Sequence, residues 1–251
     1  MSAVATRSRG PLGPGPRVVS LVPSSTETLL ALGAQVVACT RFCEQPGLPH
    51  VGGTKNPDIA AIVALAPDLV VLDREENRLI DAERLTEAGL DLFVSDVRSV
   101  ADAAQVVADL AERVDRPPLA FDVGPPSPSP TSSVFVPIWR RPWMSINSAT
   151  YGASLLAHLG VGLVTDDLDA TYPVVELADI RARRPSAVLV PSEPYVFEDR
   201  HLTELDRELG SVGDRPLPVV RIDGQDLFWW GSRTPGAVER LRAVLARVGL
   251  V

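Results

Sequence analysis

The chain has 251 residues, 45% of them hydrophobic, and a formal net charge of −8. That is apolar material for one large core or two smaller ones, on too acidic a surface for a general nucleic-acid binder, which needs a basic face for phosphate. No run approaches the ~18 apolar residues of a membrane span.

Residues 1–16 read as a disordered tail, because Arg7, Arg9, Gly10, Pro11, Gly13, Pro14, Gly15 and Pro16 interrupt the apolar stretch of roughly 7–15 residues that a secretory signal needs. The protein is therefore expected in the cytoplasm as written, and outside it if the start is misassigned. RVVSLV (17–22) is a valine-rich strand. Ser24-Ser25-Thr26-Glu27 reads as a capping box opening a helix that Gly33 closes. VVACT (36–40) is a strand, followed by a loop rich in proline and glycine. Cys39 and Cys43 make no disulfide framework, and in an extended strand they stand too far apart to bridge. DLVVLD (68–73) is a strand, 77–89 a helix, 91–95 a strand and 99–114 an amphipathic helix. Residues 115–132 carry prolines 117, 118, 125, 126, 128 and 130 and read as a linker. SVFVPIW (133–139) restarts the alternation, and the closing elements are a strand at 219–223 and a helix from about Thr234-Pro235 to the end.

Short apolar strands alternating with helices imply parallel sheets and right-handed crossovers. The expected fold is α/β: an N-terminal lobe (17–98), a bridging helix (99–114), the linker (115–132) and a C-terminal lobe (133–251), with a ligand cleft between Rossmann-like lobes. The halves look related. A shift of 118 residues superposes Ala60 on Ala178, Ile62 on Ile180, Ala64 on Ala182, Pro67 on Pro185, Val70 on Val188 and Glu75 on Glu193.

Ligands of open α/β sheets sit beyond the C-terminal strand ends. Those ends carry Phe42, Cys43 and Glu44; Glu75, Glu76 and Asn77; Trp139 and Trp143; Glu193, Tyr195 and Phe197; and Phe228, Trp229, Trp230 and Arg233. Every tryptophan falls in the second half, and indole rings give large, stiff contact area for flat or bulky apolar ligands. Arg233 suits a carboxylate, a phosphate or a ring face. Alternatives stand beside these readings. Trp229 and Trp230 point to opposite sides of an extended chain, so one of them is core. Glu75 and Glu76 serve equally as a solvated face or a helix cap, and Cys43 as an inert thiol. His50, His158 and His201 show no ligand spacing, so no metal site is expected. No catalytic or nucleotide-binding motif is present.

RVVSLVPSSTETLLALG, FCEQP, VGGTKNPD, APDLVV with EENR, SEPYVF and DGQDLFWWGSRT together resemble the cobalamin and iron-chelate substrate-binding proteins of ABC importers, most closely the helical-backbone metal-receptor branch. The resemblance spans 17–114 and 133–251. It implies a receptor holding a corrinoid, tetrapyrrole or metal chelate between the lobes, without an intrinsic cofactor, the ligand being cobalamin or another metal chelate. The site residues are then Phe42, Glu44, Glu75, Asn77, Trp139, Trp143, Glu193, Tyr195, Trp229, Trp230 and Arg233. It also implies an ABC permease as partner, although Ala60 and Ala178 stand where such receptors carry docking glutamates; Asp58, Glu176 and Asp179 lie within two residues. Gly53 and Asp73 stand where the best-known relatives place corrinoid-contacting tryptophans. The alternative is a cytosolic enzyme or biosynthetic accessory on the same scaffold.

Overall fold

The computed structural model describes residues 13, 15–212 and 215–251. Residues 1–12 and 14 of the expected tail lie outside them.

The first half runs β1 (Arg17–Ser20), α1 (Pro23–Ala31), β2 (Gln35–Cys39), a ribbon of β3 (Gly52–Gly53) and β4 (Asn56–Pro57), α2 (Ile59–Ala64), β5 (Leu69–Asp73), α3 (Leu79–Glu87) and β6 (Leu92–Ser95). Helix α4 (Val100–Arg113) follows. The second half runs β7 (Ser132–Phe135), a hairpin of β8 (Pro137–Trp139) and β9 (Met144–Ser145), α5 (Tyr151–His158), β10 (Val161–Leu163), α6 (Leu177–Ala182) and β11 (Ala187–Pro191). It closes with α7 (Asp199–Leu209), a ribbon of β12 (Ser211–Val212) and β13 (Arg215–Pro216), β14 (Val219–Ile222), α8 (Gly224–Phe228) and α9 (Thr234–Arg247).

Two four-stranded sheets result, ordered β2-β1-β5-β6 and β10-β7-β11-β14. Every pairing in them is parallel. The two orders are the same under the repeat: β7 takes the place of β1, β10 of β2, β11 of β5 and β14 of β6. All five residues of β5 (LVVLD) and of β11 (AVLVP) are buried, the continuous apolar run that a parallel strand covered on both faces requires.

The chain divides into two compact units, residues 1–95 with 107–119 and residues 96–106 with 120–251. Helix α4 belongs to the second as far as Val106 and to the first from Val107. Each unit has its own core. The first packs Val19, Leu21, Ile62, Val70, Leu72 and Leu85; the second packs Phe135, Ile180, Val188, Val190, Leu205 and Leu209.

Three local readings change. Helix α1 starts one residue before the expected capping box: Pro23 takes the first helical turn, where its missing N–H costs nothing, Val22 is the N-cap, and no side chain caps the end. Its far end is as read. Gly33, at φ 69°, closes a Schellman motif with Gly33 N–H on Leu30 O and Ala34 N–H on Leu29 O. The proline-rich segment is held rather than free. Arg116 donates to the Gly33 carbonyl (3.1 Å) in the first unit. In the second, His158 Nε2–H donates to Val123 O (3.0 Å) and Ser127 N–H to His158 O (2.9 Å). The cysteines also sit closer than an extended strand allows. Cys43 folds back in a turn, its N–H on Thr40 O, and its sulfur lies 3.2 Å from the Thr26 and Thr40 hydroxyls. A hydrogen bond with Cys43, with burial behind it, pushes the Cys39 thiol far above its ordinary range.

Candidate functional site

In the first unit, the candidates lie in the turns after β2 and β5. The buried Cys43 anchors the first turn and leaves its neighbours outside: Phe42 is 49% exposed and Glu44 is exposed at φ 54°. A Cβ on Gly53 would come 2.6 Å from Asn56 Oδ1 and 3.0 Å from Phe42 Cε2, so a larger residue there would press on both side chains. The Arg41 guanidinium sits 4.8 Å from the ring centroid.

After β5 the candidate residues separate by role. Asn77 is buried, and it is a brace: its Oδ1 accepts from Asp73 N–H (2.9 Å), and its Nδ2 donates to Leu21 O (3.3 Å) and Thr54 O (2.9 Å). Asp73 is buried as well, accepting from Ser95 Oγ (2.7 Å) and Glu75 N–H (2.9 Å). Glu75 is exposed. Leu79 and Ile80, at the start of α3, are 75% and 46% exposed. These two apolar side chains, four and five residues past Glu75 in the chain, escaped the sequence reading, because at the head of a periodic helix they pass for core.

The second unit gathers more. Strands β7, β11 and β14 are adjacent, so the loops that follow them converge. The β8–β9 hairpin carries Trp139, 44% exposed, and Trp143, which stacks on Phe197 with centroids 6.0 Å apart and planes at 2°. Tyr195, in the loop after β11, meets Trp139 edge-on at 5.2 Å and Phe197 at 4.7 Å. These geometries are favourable for aromatic pairs, each worth about 0.5–1.5 kcal/mol beyond burial. Trp139, Trp143 and Tyr195 therefore form one patch.

Glu193 belongs to the same loop. Its Oε1 accepts from Trp229 Nε1–H at 2.7 Å. The guanidinium of Arg233 lies 5.5 Å from the Trp229 ring centroid and pairs with Asp226 at 3.3 Å. Asp226 also takes two bonds from Arg240, at 2.7 and 2.6 Å. Burial alone would raise Asp226, but the bonds and charge of Arg240, with Arg233 behind it, hold it below the ordinary carboxylate range. Arg233, expected to take a ligand anion, is thus engaged by Asp226 and by a ring face.

Trp230 is 5% exposed and belongs to the core. Of the paired indoles only the half-buried Trp229 has surface to offer. Gly231 stands at φ 109°, a conformation closed to side-chain-bearing residues, so its role is to turn the backbone. Gly224 escaped the sequence reading entirely. A Cβ there would sit 2.5 Å from Glu193 Cγ and 2.7 Å from Glu193 N, and its own N–H donates to Ser192 Oγ at 2.9 Å. The signal was the Asp-Gly pair at a strand end: Asp223 caps α8 through Gln225 N–H (2.8 Å), and Gly224 admits the neighbouring loop.

Ala60 and Ala178 are exposed, each the second residue of a six-residue helix, α2 and α6. Among the described residues, no cluster of three or more His, Cys, Asp or Glu side chains is placed to hold a metal ion, and no helix is long and apolar enough to cross a membrane.

No protein-family model matches the chain. The vitamin B12-binding protein of Pectobacterium carotovorum is 23% identical over 198 residues, 71% of this chain and 72% of that protein. Among solved structures, the periplasmic vitamin B12 binding protein BtuF of Vibrio cholerae superposes with a TM-score of 0.73 at 18% identity, covering 94% of this chain and 98% of that one. A periplasmic heme binding protein from Pseudomonas aeruginosa gives 0.72 at 18%, covering 91% and 92%. These likenesses bear out the two-lobed α/β fold and the family resemblance drawn from the motifs. They overturn the cytoplasmic placement: the structures sharing the fold are periplasmic proteins, which points outside the cytoplasm. The polar, proline-broken residues 1–16 had carried that placement, and the composition of one terminus is no measure of where a fold works.

Proposed function

We propose that this chain, a member of the cobalamin and iron-chelate type of ABC-importer substrate-binding proteins, is a receptor that holds a corrinoid, tetrapyrrole or comparable metal chelate. The aromatic patch at the strand ends of the second unit is its main contact surface. The observation that carries the reading is that the loop after β11 meets Trp139 through Tyr195 and Trp229 through Glu193, all three rings keeping some exposed surface. The rings are pre-set: Tyr195 buttresses Trp139, and Glu193 and Arg233 fix Trp229. A rigid aromatic wall binds a flat macrocycle at low cost in conformational entropy. Proteins named for binding vitamin B12 or heme share the fold, and as receptors they do not favour the enzyme alternative.

Any metal would arrive inside its macrocycle. Phe42, Glu44 and Glu75 are the first unit's candidates for ligand contact. The partner we infer is a membrane permease of the ABC type. With alanine at positions 60 and 178, docking would fall to the exposed Asp58, Glu176 and Asp179.

Titrating tryptophan emission with cyanocobalamin, haemin and a ferric chelate tests the receptor role. The expected result is saturable quenching by at least one of them, with a Kd of about 1 μM or below. Folded protein that shows no saturable change with any of the three would remove the proposal.

A further inference from the structure

The chain has two cysteines, and both are buried together in the first unit. We infer that Cys39 and Cys43 are a redox pair, joined as a disulfide under oxidising conditions, and that the bond straps the turn carrying Phe42 and Glu44. The structures sharing the fold are periplasmic, and disulfides form and persist in that kind of environment. The inference concerns the state of the chain itself and stands independently of the receptor role.

A strand alone would hold residues i and i+4 too far apart to bridge. Here the chain reverses between them. Cys39 ends β2 with its N–H on Pro49 O (3.0 Å) and its carbonyl accepting from Val51 N–H (2.9 Å). Arg41 N–H is tied to Gly52 O (3.0 Å), and Cys43 N–H returns to Thr40 O (3.1 Å). A turn of this kind brings its end residues within about 7 Å, and Cys39 adjoins it. The two thiols share a hydrogen bond, so closing an S–S bond asks for a shift of side chains rather than a refolded loop.

The two sulfurs are not equivalent. Hydrogen bonding with Cys39, and with the Thr26 and Thr40 hydroxyls 3.2 Å away, holds the Cys43 thiol below its ordinary range against the opposing effect of burial. Cys39 is pushed the other way. Cys43 also follows the exposed Phe42 in the turn, and it is the attacking sulfur. The oxidant is itself a disulfide. Cys43 thiolate attacks one of its sulfurs, a mixed disulfide forms, and one thiol leaves. With the Cys43 charge gone, Cys39 gives up its proton; its thiolate attacks Cys43 Sγ, and the second thiol leaves. The chain loses two electrons and two protons, and the oxidant takes them up as two thiols.

Arg41 lies between the cysteines, and Arg17 and Lys55 flank them. After trypsin, residues 18–41 and 42–55 therefore travel together only if a disulfide joins them. The folded full chain is equilibrated in equal oxidised and reduced glutathione, its remaining thiols are blocked with iodoacetamide in urea, and it is digested without reductant. The joined pair is expected to exceed the two alkylated peptides by at least about tenfold, with the intact chain a monomer on a non-reducing gel. Equilibration in urea is expected to lower that ratio by at least about threefold, because the fold no longer holds the sulfurs together. Native trypsin is expected to cut after Arg41 about fivefold more slowly in the oxidised chain than in the reduced one. Cys39→Ser is expected to accumulate a glutathione adduct on Cys43, and Cys43→Ser to form one on Cys39 at least about tenfold more slowly.

Two alkylated peptides from the folded chain, glutathione adducts without a joined pair, or a joined pair found only in dimers would each overturn the inference. So would an oxidised fraction as high in urea as in the folded chain. Cleavage after Arg41 at one rate in both redox states would overturn the strap, and equal adduct rates in the two variants the order of attack.

Discussion

Arg233 ends bonded to Asp226 and laid over Trp229, seven and four residues back along the chain. The sequence shows a lone arginine after two indoles; it does not show that α8 folds Asp226 back beneath it. Trp229 and Trp230 were legible as a divided pair, since neighbours in extended chain face opposite ways, but which of them was core depended on that same fold. Gly224 is the sharpest single-residue test of how the site is set. Replacing it with alanine forces a Cβ against Glu193 backbone and side chain, and overpacking of this kind costs about 1–3 kcal/mol. Gly224→Ala is expected to lower the guanidinium midpoint accordingly and, because Glu193 must shift, to change the Trp229 emission before any ligand is added. An unaltered midpoint and spectrum would mean that the loop after β11 is looser than this packing implies.

At the scale of elements, strands and long helices were legible because burial writes its period into the sequence, and the short pieces were not. Helix α8 has five residues, too few for a periodic signal, and Pro23 displaces the expected cap of α1 because a ring that fixes φ competes well for the first turn. The junction of α8 with α9 is held by Asp226, Arg233 and Arg240. Since the folded carboxylate lies below its ordinary range, its ionised form is favoured by folding. That contribution is fully present above the unfolded value of about 3.9 and is lost as the pH falls through the folded one. Asp226→Asn is expected to cost about 3 kcal/mol at pH 7, in the range for breaking a buried ion pair. The gap between variant and wild type should then shrink as urea titrations move from about pH 6 to about pH 3. A gap independent of pH would assign the cost to packing rather than charge.

Across the whole molecule, the repeat visible at a shift of 118 residues becomes two sheets with one strand order, and Ala60 and Ala178 occupy the same place in α2 and α6. Topology was readable because strand–helix alternation leaves few ways to pair. The division of labour inside the site was less so, because it depends on side chains meeting across loops. Each unit also carries a separate core, and all four tryptophans, at 139, 143, 229 and 230, lie in the second. Their emission therefore reports one unit, whereas far-ultraviolet dichroism reports both. Leu85 is fully buried in the first core, and Leu→Ala there removes about 2–5 kcal/mol. With separate cores, Leu85→Ala is expected to split the urea transition: dichroism begins to fall while indole emission holds to a midpoint close to that of wild type. If both probes still move together at a lower midpoint, the cost in the first core has been shared by the second, and the two sheets unfold as one cooperative body.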